Sequence, residues 1–248
     1  MYTDRRFTQT QTSYAADDLE TMSEARKYHA HVYSLMRPFV GKRVLEVGAG
    51  IGTMTADLLT QADRVVALEP NATSATKARQ ALGAHPRLDL RECLLEECDP
   101  AALAAEHFDT VVCVNVLEHI EDDVAALKGF REIVAPSRGH VLIFVPAVQA
   151  VYGRHDAELG HHRRYSKRGL GSAFTQAGME LVLLRYSNPI GLLAWAYNTW
   201  ISKPLAHSSS QIWWFETFIA PWALPLERIL PVPIGLSLLA IGRADTKE

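Results

Sequence analysis

The sequence predicts an α/β protein built on a doubly wound, largely parallel sheet. Three observations carry that expectation. Short apolar runs alternate with helical patterns along most of the 248 residues. The first run, Val44-Leu45-Glu46-Val47, opens into Gly48-Ala49-Gly50-Ile51-Gly52, a turn whose backbone must lie close to a ligand. The second run ends at an acid, Glu69, twenty-one residues beyond Gly48.

The elements follow in order. Residues 21–38 put Ala25, Tyr28, Val32, Leu35 and Met36 on one side of a helix. Strand one is 43–48, with a helix over 53–59 behind it, and strand two is 64–68. Asn71 caps the next helix, and strand three is 88–93. Asp99-Pro100 reads as a cap followed by proline in the first helical position. Strand four is 110–114, and Val124, Leu127, Phe130, Ile133 and Val134 mark the helix after it. Strand five, 141–145, stops at Pro146; Ser166 caps a helix to Ala177; strands six and seven are 181–185 and 236–241.

A chain of this length can bury one sizeable core, or a domain and an appendage. Its net charge of −3 gives no reason to expect nucleic acid as a partner. Cys93, Cys98 and Cys113 are odd in number and sit in apolar segments, which suits a reduced, cytoplasmic setting. Residues 1–20 lack the apolar core of a signal peptide. The longest apolar stretches, around 190–201 and 212–226, are broken by Asn198, Glu216, Pro221 and Pro225. Neither reaches the roughly 20 residues of a membrane span.

A dinucleotide fingerprint would put a glycine at position 53, but Thr53 stands there and the third glycine comes one residue early. Glu46 points the same way. A carboxylate repels a pyrophosphate and attracts a ligand bearing an ammonium and a sulfonium. The pattern E-x-G-x-G-x-G, together with ALEP, FDTVVCVNVLEHIEDD and the apolar VLIFVPA, resembles the class I S-adenosylmethionine (SAM) methyltransferases of the small-molecule type, over roughly residues 40–186.

The resemblance implies SAM as cofactor and a Rossmann-like sheet of strand order 3-2-1-4-5-7-6, with strand seven antiparallel and helices on both faces. It implies that Gly48, Ala49, Gly50 and Gly52 face the methionine and ribose part, that Glu46 orients the amino group, and that Glu69, followed by Pro70, binds the ribose hydroxyls. The backbone of Asn115 and Val116 would hold the amino end. Cys93 and Leu94 would line the adenine, where many relatives carry an acid. Tyr28, on the N-terminal helix, would cover the cofactor.

Residues 152–165, YGRHDAELGHHRRY, follow strand five and so belong beside the transferable methyl. A similar D-x-x-x-G-H-x-R-R-Y segment is associated with a methyltransferase subgroup of glycan and lipid-glycan pathways. Asp156, His161 and Tyr165 are candidate proton acceptors. His119, after strand four, is another, or else caps the next helix. Arg154, Arg163, Arg164, Lys167 and Arg168 concentrate positive charge, which suits an acceptor with an anionic group, Arg164 serving as clamp. Asp156 and Glu158 can equally pair with these arginines and hold the loop shut. His155, Asp156, His161 and His162 are metal-ligand types. No metal is expected, because the ends of strands four and five carry Asn115 and Pro146 instead of carboxylates.

The domain organisation that follows is one methyltransferase domain over 1–248, with a helical cap at 1–40, a SAM-binding core at 41–186, an aromatic-rich insertion at 187–233 and a last strand and tail at 234–248. The insertion holds all five tryptophans, Trp200 among them with Ile201 beside it. A lid, a dimer contact and a peripheral membrane patch are its three readings. The expected activity is methyl transfer to a small-molecule or lipid- or glycan-linked acceptor. Two rivals are a SAM-fold enzyme with a non-methylating reaction, such as a cyclisation, and a non-catalytic SAM-binding or membrane-associated partner protein.

Overall fold

The computed structural model describes residues 22–197, 209–230 and 232–244. Trp200, Ile201, Asn198 and residues 1–20, on which expectations were placed, lie outside them.

The strands are β1 (Arg43–Val47), β2 (Arg64–Leu68), β3 (Leu88–Arg91), β4 (Thr110–Val114), β5 (His140–Pro146), β6 (Met179–Ser187) and β7 (Ser237–Ala244). They form one sheet of order β3-β2-β1-β4-β5-β7-β6. Strands β3, β2, β1, β4 and β5 run parallel, while β7 is antiparallel to both β5 and β6. Order and reversal are as expected. The central strands are apolar on both faces because helices cover both. Side chains alternate across the sheet: Leu45, Val47, Val66 and Leu68 join one core with Phe130 and Phe174, and Val44, Val65 and Val112 join another with Val32 and Met36.

The helices are α1 (Arg26–Met36), α2 (Thr53–Leu58), α3 (Ala72–Leu82), α4 (Pro100–Ala105), α5 (Asp123–Val134), α6 (Arg154–Glu158), α7 (Lys167–Gln176), α8 (Pro189–Tyr197), α9 (Ser209–Trp214) and α10 (Ala220–Ile229). The three expected caps are made. Asn71 accepts the N–H groups of Thr73 and Ser74 at 2.9 and 3.0 Å, Asp99 that of Ala101 at 3.0 Å, and Ser166 that of Gly169 at 3.0 Å. Part of the segment after β5, read as a loop, is the short helix α6.

The insertion runs from α9 through a π turn, Phe215–Ile219, into α10. Ile212, Ala220, Leu224 and Glu227 point inward and are buried, whereas Trp213, Trp214, Phe218, Trp222, Leu226 and Ile229 are exposed. Two acids fasten this segment. Glu216 accepts the N–H groups of Lys27 and Tyr28 at 2.8 and 3.1 Å, supplying α1 with the N-terminal cap its own sequence lacks. Glu227 accepts from His31 Nε2 at 3.1 Å, Ser187 Oγ at 2.6 Å and the N–H of Asn188 at 3.0 Å. No helix among the described residues is long and apolar enough to cross a membrane.

Candidate active site at the carboxyl ends of the strands

The turn after β1 is built from backbone that only glycine adopts freely. Gly48, Gly50 and Gly52 have φ of 79°, 56° and 87°. The N–H groups of Gly48 and Ala49 both donate to Leu68 O at 2.9 Å, tying the turn to the end of β2. A Cβ on Gly48 would stand 2.2 Å from Val116 Cγ2, so this turn and the segment after β4 close on each other.

Glu69 Oε2 accepts the N–H of Gly50 at 2.7 Å and Oε1 that of Asn71 at 2.8 Å. Each oxygen keeps a lone pair for a ribose hydroxyl. Burial raises the Glu69 carboxyl above its ordinary range, and the two N–H donors act against it. Glu46 is buried and accepts Thr55 Oγ1–H at 2.6 Å. Burial pushes its carboxyl up to about 7, the Thr55 hydrogen bond opposes the rise, and nearby Glu69 adds to it. Two acids beneath a glycine turn fit a cationic nucleoside such as SAM and repel a pyrophosphate.

Other expected cofactor contacts are placed less uniformly. Leu94 is exposed after β3, and Cys93 Sγ lies 2.9 Å from Cys98 Sγ. Pro70 is exposed. Asn115 donates its N–H to Phe144 O at 2.8 Å, leaving its side chain exposed. Tyr28, expected over the cofactor, has its hydroxyl oxygen hydrogen-bonded by the Ser237 and Asn188 side chains. Its ring packs edge-on to Phe215 at 6.4 Å, because Glu216 sets the register of α1 against the insertion.

The loop after β5 folds back on β4. His161 Nδ1 lies 3.0 Å from Asp156 Oδ1, and its Nε2 lies 3.9 Å from Glu118 Oε1. The His119 and His161 rings meet edge-on at 4.7 Å. Glu118 is fully buried, and among the described residues neither carboxylate oxygen has a side-chain hydrogen-bond partner. Burial pushes it up to about 7, against the nearby His161. Burial, with His161 next, drives His119 down to about 3 and keeps it neutral. His119 ends a short 3-10 turn, Leu117–His119, and the cap of α5 is Asp122. The capping reading of His119 therefore falls.

Arg164 and Tyr165, read from sequence as a clamp and a base, are committed elsewhere. The Arg164 Nε and Nη2 donate to Asp156 Oδ1, each at 2.8 Å, and the guanidinium lies 4.2 Å from the Trp195 ring centre. Its side chain is 1% exposed and already neutralised by Asp156. Tyr165 donates to Asp123 Oδ2 at 2.8 Å; burial and that carboxylate raise its pKa far above the working range of a base. Asp156 carries the ion pair and also accepts the N–H of Gly153 at 2.9 Å. Although burial alone would raise its pKa, His161 and Arg164 hold it below the ordinary value.

Sequence reasoning singled out neither Glu118 nor Trp195. The LEH segment contained Glu118, but nothing in its spacing told how deep that acid would lie. Trp195 joins α8 to the loop through Arg164 and through an N–H donated to Val151 O at 3.1 Å. The residues just beyond β4, β5 and β6, namely Asn115, Val148 and Asn188, have φ of 53°, 67° and 60°. Left-handed backbone thus lines the same edge as the cluster.

Residues 45–141 match the family model of a methyltransferase domain. A ubiquinone biosynthesis O-methyltransferase of Rhodopseudomonas palustris (strain TIE-1) is 30% identical over 113 residues, 45% of this chain and 43% of that protein. One from Vibrio campbellii is 33% identical over 102 residues, 41% of this chain and 42% of its own length. The chain thus spans under half the length of these curated relatives. A methyltransferase of Haloferax volcanii, solved with the Trm112 methyltransferase activator, superimposes with a TM-score of 0.59 at 20% identity, over 95% of this chain and 96% of that one. That likeness is one of fold.

Proposed function

We propose that this chain, whose residues 45–141 match a methyltransferase domain, is a class I SAM-dependent enzyme that transfers a methyl group to a hydroxyl of a small organic acceptor, drawing off the proton at the buried cluster of Glu118, His119 and His161. The observation that carries this is His161, held by Asp156 at 3.0 Å with its Nε2 3.9 Å from Glu118, two residues along the chain from the Val116 that packs on Gly48. The O-methyltransferase relatives support oxygen as the atom methylated.

Bound SAM supplies an electrophilic methyl on a sulfonium. The chain's residues do the rest. The glycine turn with Glu46 and Glu69 orients the cofactor, and Val116 closes on Gly48 to exclude water. With SAM held there, its methyl would be available to the acceptor oxygen and its sulfur would keep the carbon–sulfur electron pair. The acceptor's proton passes to the cluster. In-line placement within about 3 Å provides much of the acceleration.

An anionic acceptor loses its main support. Arg154 pairs with Glu158 at 2.7 Å, Arg163 with Asp123 at 3.0 Å and Arg164 with Asp156 at 2.8 Å, so these loop arginines close the loop. An apolar acceptor, including one with a lipid tail, suits the aromatic insertion better.

The test is incubation with methyl-labelled SAM and a panel of phenols, catechols and lipid-linked alcohols, followed by mass spectrometry. Label should appear on oxygen, and His161→Asn should lower turnover by roughly 10²–10⁴ with SAM affinity kept within a few-fold. Label on carbon or nitrogen, or turnover unchanged in His161→Asn, overturns the reading. A cyclised, unlabelled product identifies the non-methylating rival, and SAM binding without any turnover the non-catalytic one.

A further inference from the structure

The Glu118 carboxylate is fully buried, and among the described residues no other side chain donates to either of its oxygens. A buried ionised carboxylate without a donor or a cation is heavily penalised. The His161 Nε2 that faces it is 3.9 Å away, beyond hydrogen-bond reach. The tautomer of His161 follows from its other side. Asp156 accepts from three further N–H groups and is ionised, so it can only accept; His161 Nδ1 therefore carries the hydrogen. Nε2 is left with a lone pair facing a carboxylate oxygen. Two acceptors point at each other with a gap between them, which is the arrangement a cation completes.

His119 supplies the third donor. One ligand atom each from Glu118, His119 and His161 all lie within 4.8 Å of one another. The Asp156–His161 contact is the outer-sphere carboxylate that orients metal-bound imidazoles. We infer that Glu118, His119 and His161 form a site for a divalent first-row transition cation, at which the acceptor hydroxyl is ligated and loses its proton. Two imidazoles and one carboxylate suit Zn²⁺, Co²⁺, Mn²⁺ or Fe²⁺, and leave coordination positions open. Mg²⁺ and Ca²⁺ prefer sets made of oxygen alone. The set differs from the one the loop alone offered: His155 meets the Trp195 ring edge-on at 5.0 Å and Asp156 belongs to Arg164. The acceptor's part rests on the methyl-transfer reading; binding of the cation does not.

The test uses the full chain, free of any histidine tag and stripped with a chelator, without SAM or acceptor. Titration with Co²⁺, followed by visible absorption, and with Zn²⁺, by calorimetry, should show one equivalent bound with a Kd of micromolar or tighter. Glu118→Gln and His161→Asn should each weaken binding by about 100-fold or more, and Asp156→Asn by about 10–100-fold. SAM titration of the same samples reports folding, and either of the first two variants suffices if the other fails to fold. Absence of stoichiometric binding in the wild-type chain, or equal affinity in Glu118→Gln and His161→Asn, overturns the site. Labelled methyl transfer by the metal-stripped chain would overturn only the acceptor's ligation, leaving the methyltransferase reading intact.

Discussion

Replacing Asp156 by alanine tests the organisation of the loop after β5 most directly. Asp156 Oδ1 receives Arg164 Nε and Nη2 at 2.8 Å each and His161 Nδ1 at 3.0 Å, and Oδ2 receives the Gly153 N–H at 2.9 Å. Both ends of the ion pair are shielded, with side-chain exposures of 0% and 1%. Without the carboxylate, Arg164 keeps only the Ala147 carbonyl at 3.3 Å and the Trp195 ring. Removing one member of a buried pair destabilises by about 3–5 kcal/mol. In a chain of this size each kcal/mol moves Tm by roughly 2–4 °C, so Asp156→Ala should melt roughly 6–20 °C lower. Adding Arg164→Met removes the stranded charge and should return about 1–3 kcal/mol of that loss. Urea denaturation and differential scanning calorimetry of the two single variants and the double variant measure all three quantities. A Tm for Asp156→Ala within about 2 °C of wild type, or strict additivity in the double variant, would refute the buried pair and return Asp156 to a purely chemical role.

Three further outcomes are expected. Glu69→Ala should weaken SAM binding by about 2–3 kcal/mol, roughly 30–150-fold, and equal affinity by calorimetric titration would remove Glu69 from the ribose site. Burial holds the free Glu46 carboxyl near 7, and a bound ammonium favours the ionised form. SAM affinity should therefore climb as pH rises toward 7, by at most about tenfold per pH unit, and level off above it. Glu46→Gln should flatten that profile, and affinity falling as pH rises would contradict the assignment. Replacing Trp214 and Trp222, both more than half exposed, by serine should leave Tm nearly unchanged and abolish either a dimer seen in sedimentation velocity or co-flotation with liposomes. A wild-type chain that remains monomeric and does not float denies the insertion any role in association.

What the sequence revealed and what it concealed divide along local and non-local lines. The strand order followed only from the family resemblance that the motifs carry, whereas the glycine turn and the caps at Asn71, Asp99 and Ser166 depend on short-range chemistry and were legible from residue spacing. Partners across the fold were not. Arg164 and Asp156 were both recognised as charged and placed in the right loop, but only depth decides whether a guanidinium greets a ligand or neutralises its neighbour. Glu216 read as an interruption of an apolar stretch, whereas it caps a helix 188 or more residues earlier in the chain. Tyr28 was assigned to the cofactor from its helix alone; the insertion that holds it could not be docked from spacing. Glu118 sat in a segment singled out for its resemblance and still escaped notice, since burial without a donor has no signature in a string of letters.

Val148, next to Tyr165 in the parallel bridge formed by Ala147, is a β-branched residue held at a φ of 67°. A conformation of that kind is disfavoured by about 1–3 kcal/mol, and glycine would adopt it almost freely. Relief of that strain in Val148→Gly would be set against the loss of the valine's packing on the core and the greater chain entropy of glycine. Valine at 148 thus places local backbone strain at the root of the loop that bears His161. The loop and its support are therefore expected to evolve together: descendants that relax position 148 should also rewrite residues 156–165, and descendants that keep the loop should keep the tension.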